Sequence, residues 1–81
     1  MKLFVANFYD DITEEDLERL FGRYGTVAGA RIWIDFETGK SKGFGFVELE
    51  DDWDSERAIE KLDGKRWHGM NLTVCKARNQ E

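Results

Sequence analysis

The chain has 81 residues, a formal net charge of −5 and a single cysteine. A domain of this size buries only about 60% of its unfolded surface, which disfavours a deep, enclosed active site. One cysteine excludes an internal disulfide and the single histidine adds no metal-ligand spacing, so we expect neither a metal nor a cofactor. The acidic balance also disfavours a protein that binds nucleic acids through charge alone.

No apolar run approaches the ~20 residues of a membrane span, and a strand pattern begins at residue 2 without a preceding signal peptide. We therefore expect a soluble, intracellular protein without membrane contact. The cytoplasm is the expected location, and the nucleus or a plastid are alternatives that depend on the organism.

Residues 2–8 predict a first strand. At the two-residue period of a strand, Lys2 and Phe4 share one face and Leu3 lies on the other, so a phenylalanine and a lysine lie side by side. Asn7, near the end of this strand, is expected to fix the loop that follows rather than to contact a ligand.

A first helix is predicted to begin after Thr13, which has the position of an N-cap and is followed by acidic residues in the first turn, 14–16. Gly25 is expected to cap its C-terminus. The apolar stripe of this helix comprises Leu17, Leu20, Phe21 and Tyr24.

Residues 26–35 predict a second strand, in which Arg31 and Trp33 share a face. The opposite face is apolar and carries Ala30, Ile32 and Ile34. A turn-rich connection follows, in which Gly39 can adopt a positive φ.

The stretch 42–49, KGFGFVEL, predicts a third strand with Phe44 and Phe46 on the same face as Lys42 and Glu48. Burial of this face would draw both charges towards the core without partners, whereas the opposite face is uncharged. The two phenylalanines are therefore expected to be exposed. In the alternative interpretation they lie in the core, and the charged side chains at the strand ends reach solvent.

A second helix is expected after the acidic run 50–52, with Asp52 or Asp54 as its N-cap and Asp63-Gly64 at its end. Its inner stripe comprises Ser55, Ala58, Ile59 and Leu62.

The rest of the chain is expected to form a tight connection over residues 67–69, with His68 as a turn residue, and a last strand over 71–76. Trp53 and Trp67 are expected to pack against the hydrophobic layer.

The predicted order is strand, helix, strand, strand, helix, strand. This is the α+β, split βαβ or ferredoxin-like layout, with a four-stranded antiparallel sheet and both helices on one face. The other face is left uncovered, and an exposed apolar surface of this kind indicates a binding site. Its predicted occupants are Lys2, Phe4, Arg31, Trp33, Lys42, Phe44, Phe46, Glu48, Thr73 and Cys75.

Two of these segments resemble the sequence motifs of the RNA recognition motif family. Residues 42–49 are similar to the longer motif at every position except the last, where Leu49 replaces an aromatic residue. Residues 3–8 are similar to the shorter motif, with Ala6 and Phe8 where glycine and leucine are common. The resemblance extends over almost the whole chain, so residues 1–81 are interpreted as a single domain of this family.

The resemblance implies that the protein binds single-stranded RNA through its sheet and is not an enzyme. Phe4 and Phe46 would stack on successive bases, Phe44 would contact bases or sugars between them, and Lys42 would meet a phosphate. Single-stranded DNA is a second candidate ligand. Six basic residues are expected on this face or at its rim: Lys2, Arg31, Lys40, Lys42, Lys76 and Arg78.

Several roles have two interpretations. In the structural interpretation, Glu48 is a solvated residue at the strand end or a partner of Lys42. In the functional interpretation, it accepts a hydrogen bond from the amino or imino group of a base. Trp33 either adds a stacking site or shields the sheet edge. Lys76 and Arg78 either contact RNA or belong to a frayed tail.

Two other functions compete with RNA binding. The acidic net charge favours a module that binds protein through its sheet or helices. An acylphosphatase-like enzyme has the same layout, but Asp10 and Asp11 in the loop after the first strand would repel a phosphate. We expect a monomer similar to the small single-module RNA-binding proteins of bacteria and plastids. The absence of proline also fits a designed sequence.

Overall fold

A computed structural model describes residues 1–39 and 41–77, without the side chains of residues 41 and 42. Its elements, in chain order, are β1 (Lys2–Ala6), α1 (Glu14–Phe21), β2 (Val27–Ile34), β3 (Ser41–Leu49), α2 (Asp52–Leu62), β4 (Arg66–Trp67), β5 (Met70–Asn71) and β6 (Thr73–Lys76). Within these described ranges, neither helix is long and apolar enough to cross a bilayer.

Four strands form one antiparallel sheet in the order β2-β3-β1-β6. The central strands pair in a register that places Phe4 opposite Phe46 and Leu3 opposite Val47. Both helices pack on the face that carries Leu3 and Val47, and these two side chains lie in the buried core together with residues of the helices. The predicted split βαβ layout is confirmed, and a short β4–β5 hairpin is added between α2 and β6.

The core lies between the sheet and the two helices. The strands contribute alternate residues, and each helix contributes one stripe, as the two periodicities require. The buried apolar residues are Leu3, Val5, Phe8, Ile12, Leu17, Phe21, Ile32, Val47, Leu49, Ala58, Leu62, Leu72 and Val74.

Thr13 begins α1 through a reciprocal pair of hydrogen bonds. The Thr13 hydroxyl accepts from the Asp16 backbone N–H at 3.2 Å, and the Asp16 carboxylate accepts from the Thr13 backbone N–H at 3.0 Å. The bond from the Thr13 backbone is the largest cause of the lowered pKa of Asp16, because it stabilises the ionised carboxyl. The predicted N-cap is therefore confirmed.

The predicted C-terminus of α1 is wrong. The helix ends at Gly22, whose N–H donates to the Glu18 carbonyl at 2.8 Å, rather than at Gly25. Gly25 is needed for a different reason: a Cβ at this position would lie 2.6 Å from the Asp54 carboxylate. The small residue allows the first turn of α2 to approach the loop after α1.

The predicted N-cap of α2, Asp52 or Asp54, is wrong. Asp51 is the cap, and its carboxylate accepts from the backbone N–H groups of Trp53 at 2.8 Å and Asp54 at 3.2 Å.

The predicted packing of Trp53 is also wrong, since this residue is 71% exposed. Trp53 precedes buried Ser55 by two positions, which turns it roughly 200° away from the inner stripe.

The connection after α2 folds into the β4–β5 hairpin. His68 and Gly69 form its two-residue loop with φ angles of 50° and 86°, the positive values of a type I′ turn. Trp67 packs against the core, as predicted. The Asn7 side-chain amide donates to the Asn71 carbonyl at 2.7 Å, so Asn7 joins the end of β1 to this hairpin rather than, as was predicted, to the loop that follows β1.

The last residue of β2 is not buried. Ile34 was predicted to share the apolar face with Ile32, but it is 46% exposed. The pairing with β3 is irregular between these two residues, and the extra residues lie in β3. On the outer edge of β2, the Ile32 backbone N–H donates to the Glu14 carboxylate at 3.1 Å. This bond satisfies a donor that would otherwise be open to pairing with another strand.

Candidate nucleic-acid interface

The sheet face opposite the helices carries four aromatic rings in a continuous row. The Phe4 centroid lies 6.0 Å from that of Phe44 and 5.7 Å from that of Phe46. The Trp33 ring follows at 5.5 Å from Phe46, with an interplanar angle of 70°. These four residues are hereafter the aromatic platform. They come from β1, β2 and β3, so the platform crosses three adjacent strands.

Strand alternation places the rings on this face. Phe4 lies opposite Phe46 in the register of β1 and β3, and the next outward position pairs Ala6 with Phe44. The three phenylalanines are half-buried, and Trp33 is 40% exposed. None of the four belongs to the buried core, so the alternative interpretation that placed the phenylalanines there is wrong.

Gly45 allows the close strand pairing beneath the platform. It lies between Phe44 and Phe46 in sequence, and its own position is buried. A Cβ at this position would collide with the backbone carbonyl of Arg31 on the neighbouring strand. The glycine is therefore required by the approach of β2 to β3, which in turn brings Trp33 next to Phe46.

Two cations accompany the rings. The Lys2 ammonium lies 5.6 Å from the centroid of Phe46, within the range of a cation–π contact. Arg31 lies opposite Phe46 in the register of β2 and β3, and it is exposed. The centre of the platform thus combines an apolar ring with positive charge on two sides.

Glu48 is the acidic residue on the same face. It is exposed and lies opposite Lys2 in the register of β1 and β3. The side chain of Lys42, which the sequence suggested as its partner, lies outside the described residues. The Glu48 carboxylate makes no ion pair with a described side chain.

The structure does not bring every predicted site residue to this face. Lys76 lies opposite buried Leu3 in the register of β1 and β6, and it lines a groove on the helix side together with Trp53. Lys40, the Lys42 side chain and Arg78 lie outside the described residues. Of the six predicted cations, Lys2 and Arg31 are therefore the ones that the described structure places on the platform face.

Two exposed apolar residues near Trp33 were not predicted. Ile34 is 46% exposed, and Phe36, in the connection after β2, is 97% exposed. The sequence carried a signal for Phe36, since it opens the polar, turn-rich connection after the predicted second strand. Ile34 is the last residue of β2, and Phe36 follows it by two positions.

The arrangement suits flat ligands better than small ions or reactive substrates. Aromatic faces bind the π-surfaces of unpaired bases, and neighbouring cations bind phosphates. Within the described part of the chain, no group of three histidine, cysteine or acidic residues is positioned to hold a metal.

Comparisons with known proteins agree with this geometry. A family model described as RNA recognition motif matches residues 3–73. Among curated proteins, the chain is 46% identical to "Putative RNA-binding protein RbpA" of Synechocystis sp. strain PCC 6803, over 100% of this chain and 80% of that protein.

Two solved structures are also similar. The crystal structure of RNA Binding Protein PG1 has a TM-score of 0.94 and 44% identity, covering 100% of this chain and 98% of that one. A structure titled as the Sxl-lethal protein/RNA complex has a TM-score of 0.91 and 35% identity, covering 99% of this chain and 48% of that one.

Proposed function

Because the chain belongs to the RNA recognition motif family, we propose that it binds single-stranded RNA across the aromatic platform and that residues 1–81 act as one such module. The observation that carries this proposal is the unbroken row of rings from Phe44 to Trp33 on an uncovered sheet face. A solved relative whose title names an RNA complex supports the same ligand class.

Stacking supplies most of the binding free energy. Phe4 and Phe46, on the central strands, stack on successive bases, and Phe44 contacts the bases or sugars between them. Trp33 adds a further ring at the outer strand. Each stacked base contributes about 1 to 3 kcal/mol, and every base has a π-face, so this contribution tolerates many sequences.

Charged residues orient the strand. Lys2 and Arg31 attract phosphates beside the central rings, and Lys40 and Lys42 add charge at the start of β3. Since few phosphates are neutralised, binding depends only weakly on salt. Lys76 has no role on the platform in this proposal, because it lines the helix-side groove.

Glu48 contributes to base preference. An exposed carboxylate can accept a hydrogen bond from the exocyclic amino group of a base, such as that of cytosine. It repels a base that presents a carbonyl at the same place. We therefore propose that bases with an amino group are favoured at the end of the platform near Lys2.

The role proposed is binding rather than catalysis, by a monomer that works in the cytoplasm. An open stacking surface needs no nucleophile or general base, and the family is defined by recognition of RNA. Single-stranded DNA offers the same stacking surfaces and lacks the 2′-hydroxyl, so it is proposed as a weaker ligand.

Selection from a random single-stranded RNA pool, carried out at two salt concentrations, tests the proposal. We expect enrichment of a motif of about two to four nucleotides, with a shallow dependence of affinity on salt. The Phe46→Ala protein, checked for its fold by circular dichroism, is the control and should enrich the motif more weakly than the unmodified protein. Absence of enrichment by the unmodified protein at low salt would contradict the proposal.

A further inference from the structure

A groove of about 210 Å³ lies on the helix side of the sheet, between α1 and the β4–β5 hairpin. Its floor includes Leu20 and Trp67, which pack against the core and therefore place it on the face opposite the aromatic platform. It is hereafter the hairpin groove. The proposed function makes no use of it.

Positive charge dominates the walls of the hairpin groove. Arg19, Arg23 and Lys65 line it, against one acidic residue, Asp16. Arg19 lies 3.6 Å from the Glu15 carboxylate and 3.9 Å from that of Asp16, so its charge is already partly compensated.

Arg23 and Lys65 are different. Neither makes an ion pair with any residue in the described ranges. Two uncompensated cations that share a groove are unexpected on a chain with a net charge of −5. An anion bound between the two side chains would be attracted by both charges.

The groove also has an aromatic wall. His68 is exposed, and its ring meets the Trp67 ring edge to face at 4.6 Å. His68 occupies the first loop position of a type I′ turn with a φ of 50°, where asparagine is the residue best suited to the backbone. The hairpin therefore presents a ring beside the two cations at a position that backbone preference alone would not give to histidine.

We propose that the hairpin groove binds a phosphate of single-stranded RNA between Arg23 and Lys65, with the adjacent base against the His68 ring. Cations next to an exposed ring match a nucleotide, whereas an acidic peptide would use the cations alone. This inference rests on the proposed function of the platform. Because the two sites lie on opposite faces, a strand must pass around the edge of the domain to occupy both, and only longer RNA does so.

The test compares two lengths of single-stranded RNA of the same composition. One has about four nucleotides, enough for the platform, and the other has about sixteen, at the long end of known single-strand sites. Affinities are measured for the unmodified protein, for Arg23→Gln combined with Lys65→Gln, and for His68→Asn, which suits the turn while removing the ring. Arg57→Gln combined with Lys61→Gln is the control, since it removes the same charge from the helix side outside the groove.

We expect the Arg23 and Lys65 variant to lose roughly tenfold in affinity for the long RNA, the effect of one charge-assisted phosphate contact. Its salt slope should fall by about 0.7, the value for one phosphate of a single strand. His68→Asn should lose affinity for the long RNA while keeping or raising its melting temperature. The short RNA and the control variant should be unaffected.

Equal losses on both RNAs, or equal losses in the control variant, would overturn the inference. Binding of polyglutamate with the same dependence on Arg23 and Lys65 would also overturn it, in favour of an acidic protein ligand. The stoichiometry of the complex with the long RNA shows which strand supplies the phosphate. One RNA per protein means that the strand on the platform also reaches the groove. Two RNAs per protein mean that a separate strand occupies the groove, which contradicts a single strand passing around the edge of the domain. If the unmodified protein does not bind the short RNA, the proposed function of the platform is wrong, independently of any binding to the groove.

Discussion

The two faces of the central strands differ in what they do, although they are made from consecutive residues. Leu3 is fully buried and contacts the helices, whereas its neighbour Phe4 is half-buried and contacts two rings of the platform. The same alternation separates Val47 from Phe46 on β3. One face therefore supplies most of the folding free energy, and the other carries the aromatic surface proposed to bind RNA.

Leu3→Ala should have the largest effect. It removes buried methyl groups from the core and is expected to lower the free energy of unfolding by about 2 to 5 kcal/mol, measured by urea denaturation. RNA affinity per folded molecule should be unchanged, because the platform is left intact. A large loss of affinity in protein shown to be folded would mean that the two faces are not independent.

Phe46→Ala should have the opposite pattern, with a large loss of RNA affinity and a small loss of stability. It removes the ring that contacts Phe4, Trp33 and the Lys2 ammonium, and it should weaken RNA binding by about 1 to 3 kcal/mol in a fluorescence anisotropy titration. Loss of stability should be smaller than for Leu3→Ala. Phe46→Tyr is the matched control, since it keeps the ring and should retain most of the affinity; equal losses in the two variants would argue against stacking.

Much of this contrast could be predicted from the sequence. The alternation of residues 42–49 fixed which side of β3 is exposed, since Lys42 and Glu48 share a face with the phenylalanines. Thr13 and the acidic residues after it located the start of α1, because N-caps have a narrow chemistry. Trp53 is an exception: it was predicted to pack against the hydrophobic layer, although helical periodicity places it opposite the inner stripe of α2, where it is exposed.

Other features depend on tertiary contacts that no local pattern encodes. The irregular pairing of β2 with β3 between Ile32 and exposed Ile34 is one such feature. The close approach of Asp54 explains Gly25, which resembled a helix cap in the sequence. The turn at His68 was hard to recognise as a hairpin because histidine is less typical there than asparagine.

Glu48→Gln should have a smaller effect, on preference more than on affinity. Removing the negative charge should raise affinity for single-stranded RNA roughly twofold to threefold, as expected for an exposed charge. The preference for cytosine over uracil should weaken, which competition between the two homopolymers measures. An unchanged preference would mean that Glu48 is a solvated residue at the strand end and does not contact a base.

Asp16→Asn should have the smallest effect on stability, through the N-terminus of α1. It weakens the reciprocal hydrogen bonds with Thr13 and should cost about 0.5 kcal/mol of stability. The pKa of Asp16 is lowered in the folded state, so its contribution is present above the ordinary value of 3.8 and is lost as the pH falls through the lower folded value. Thermal melts of the two proteins should therefore differ at neutral pH and converge in acid.

Nuclear magnetic resonance titration with a short single-stranded RNA tests the central claim most directly. The aromatic signals of Phe4, Phe44 and Phe46 should shift most, together with the backbone amides of β1 and β3, while α2 stays unchanged. Shifts concentrated on the helices, with the platform signals unmoved, would contradict the account.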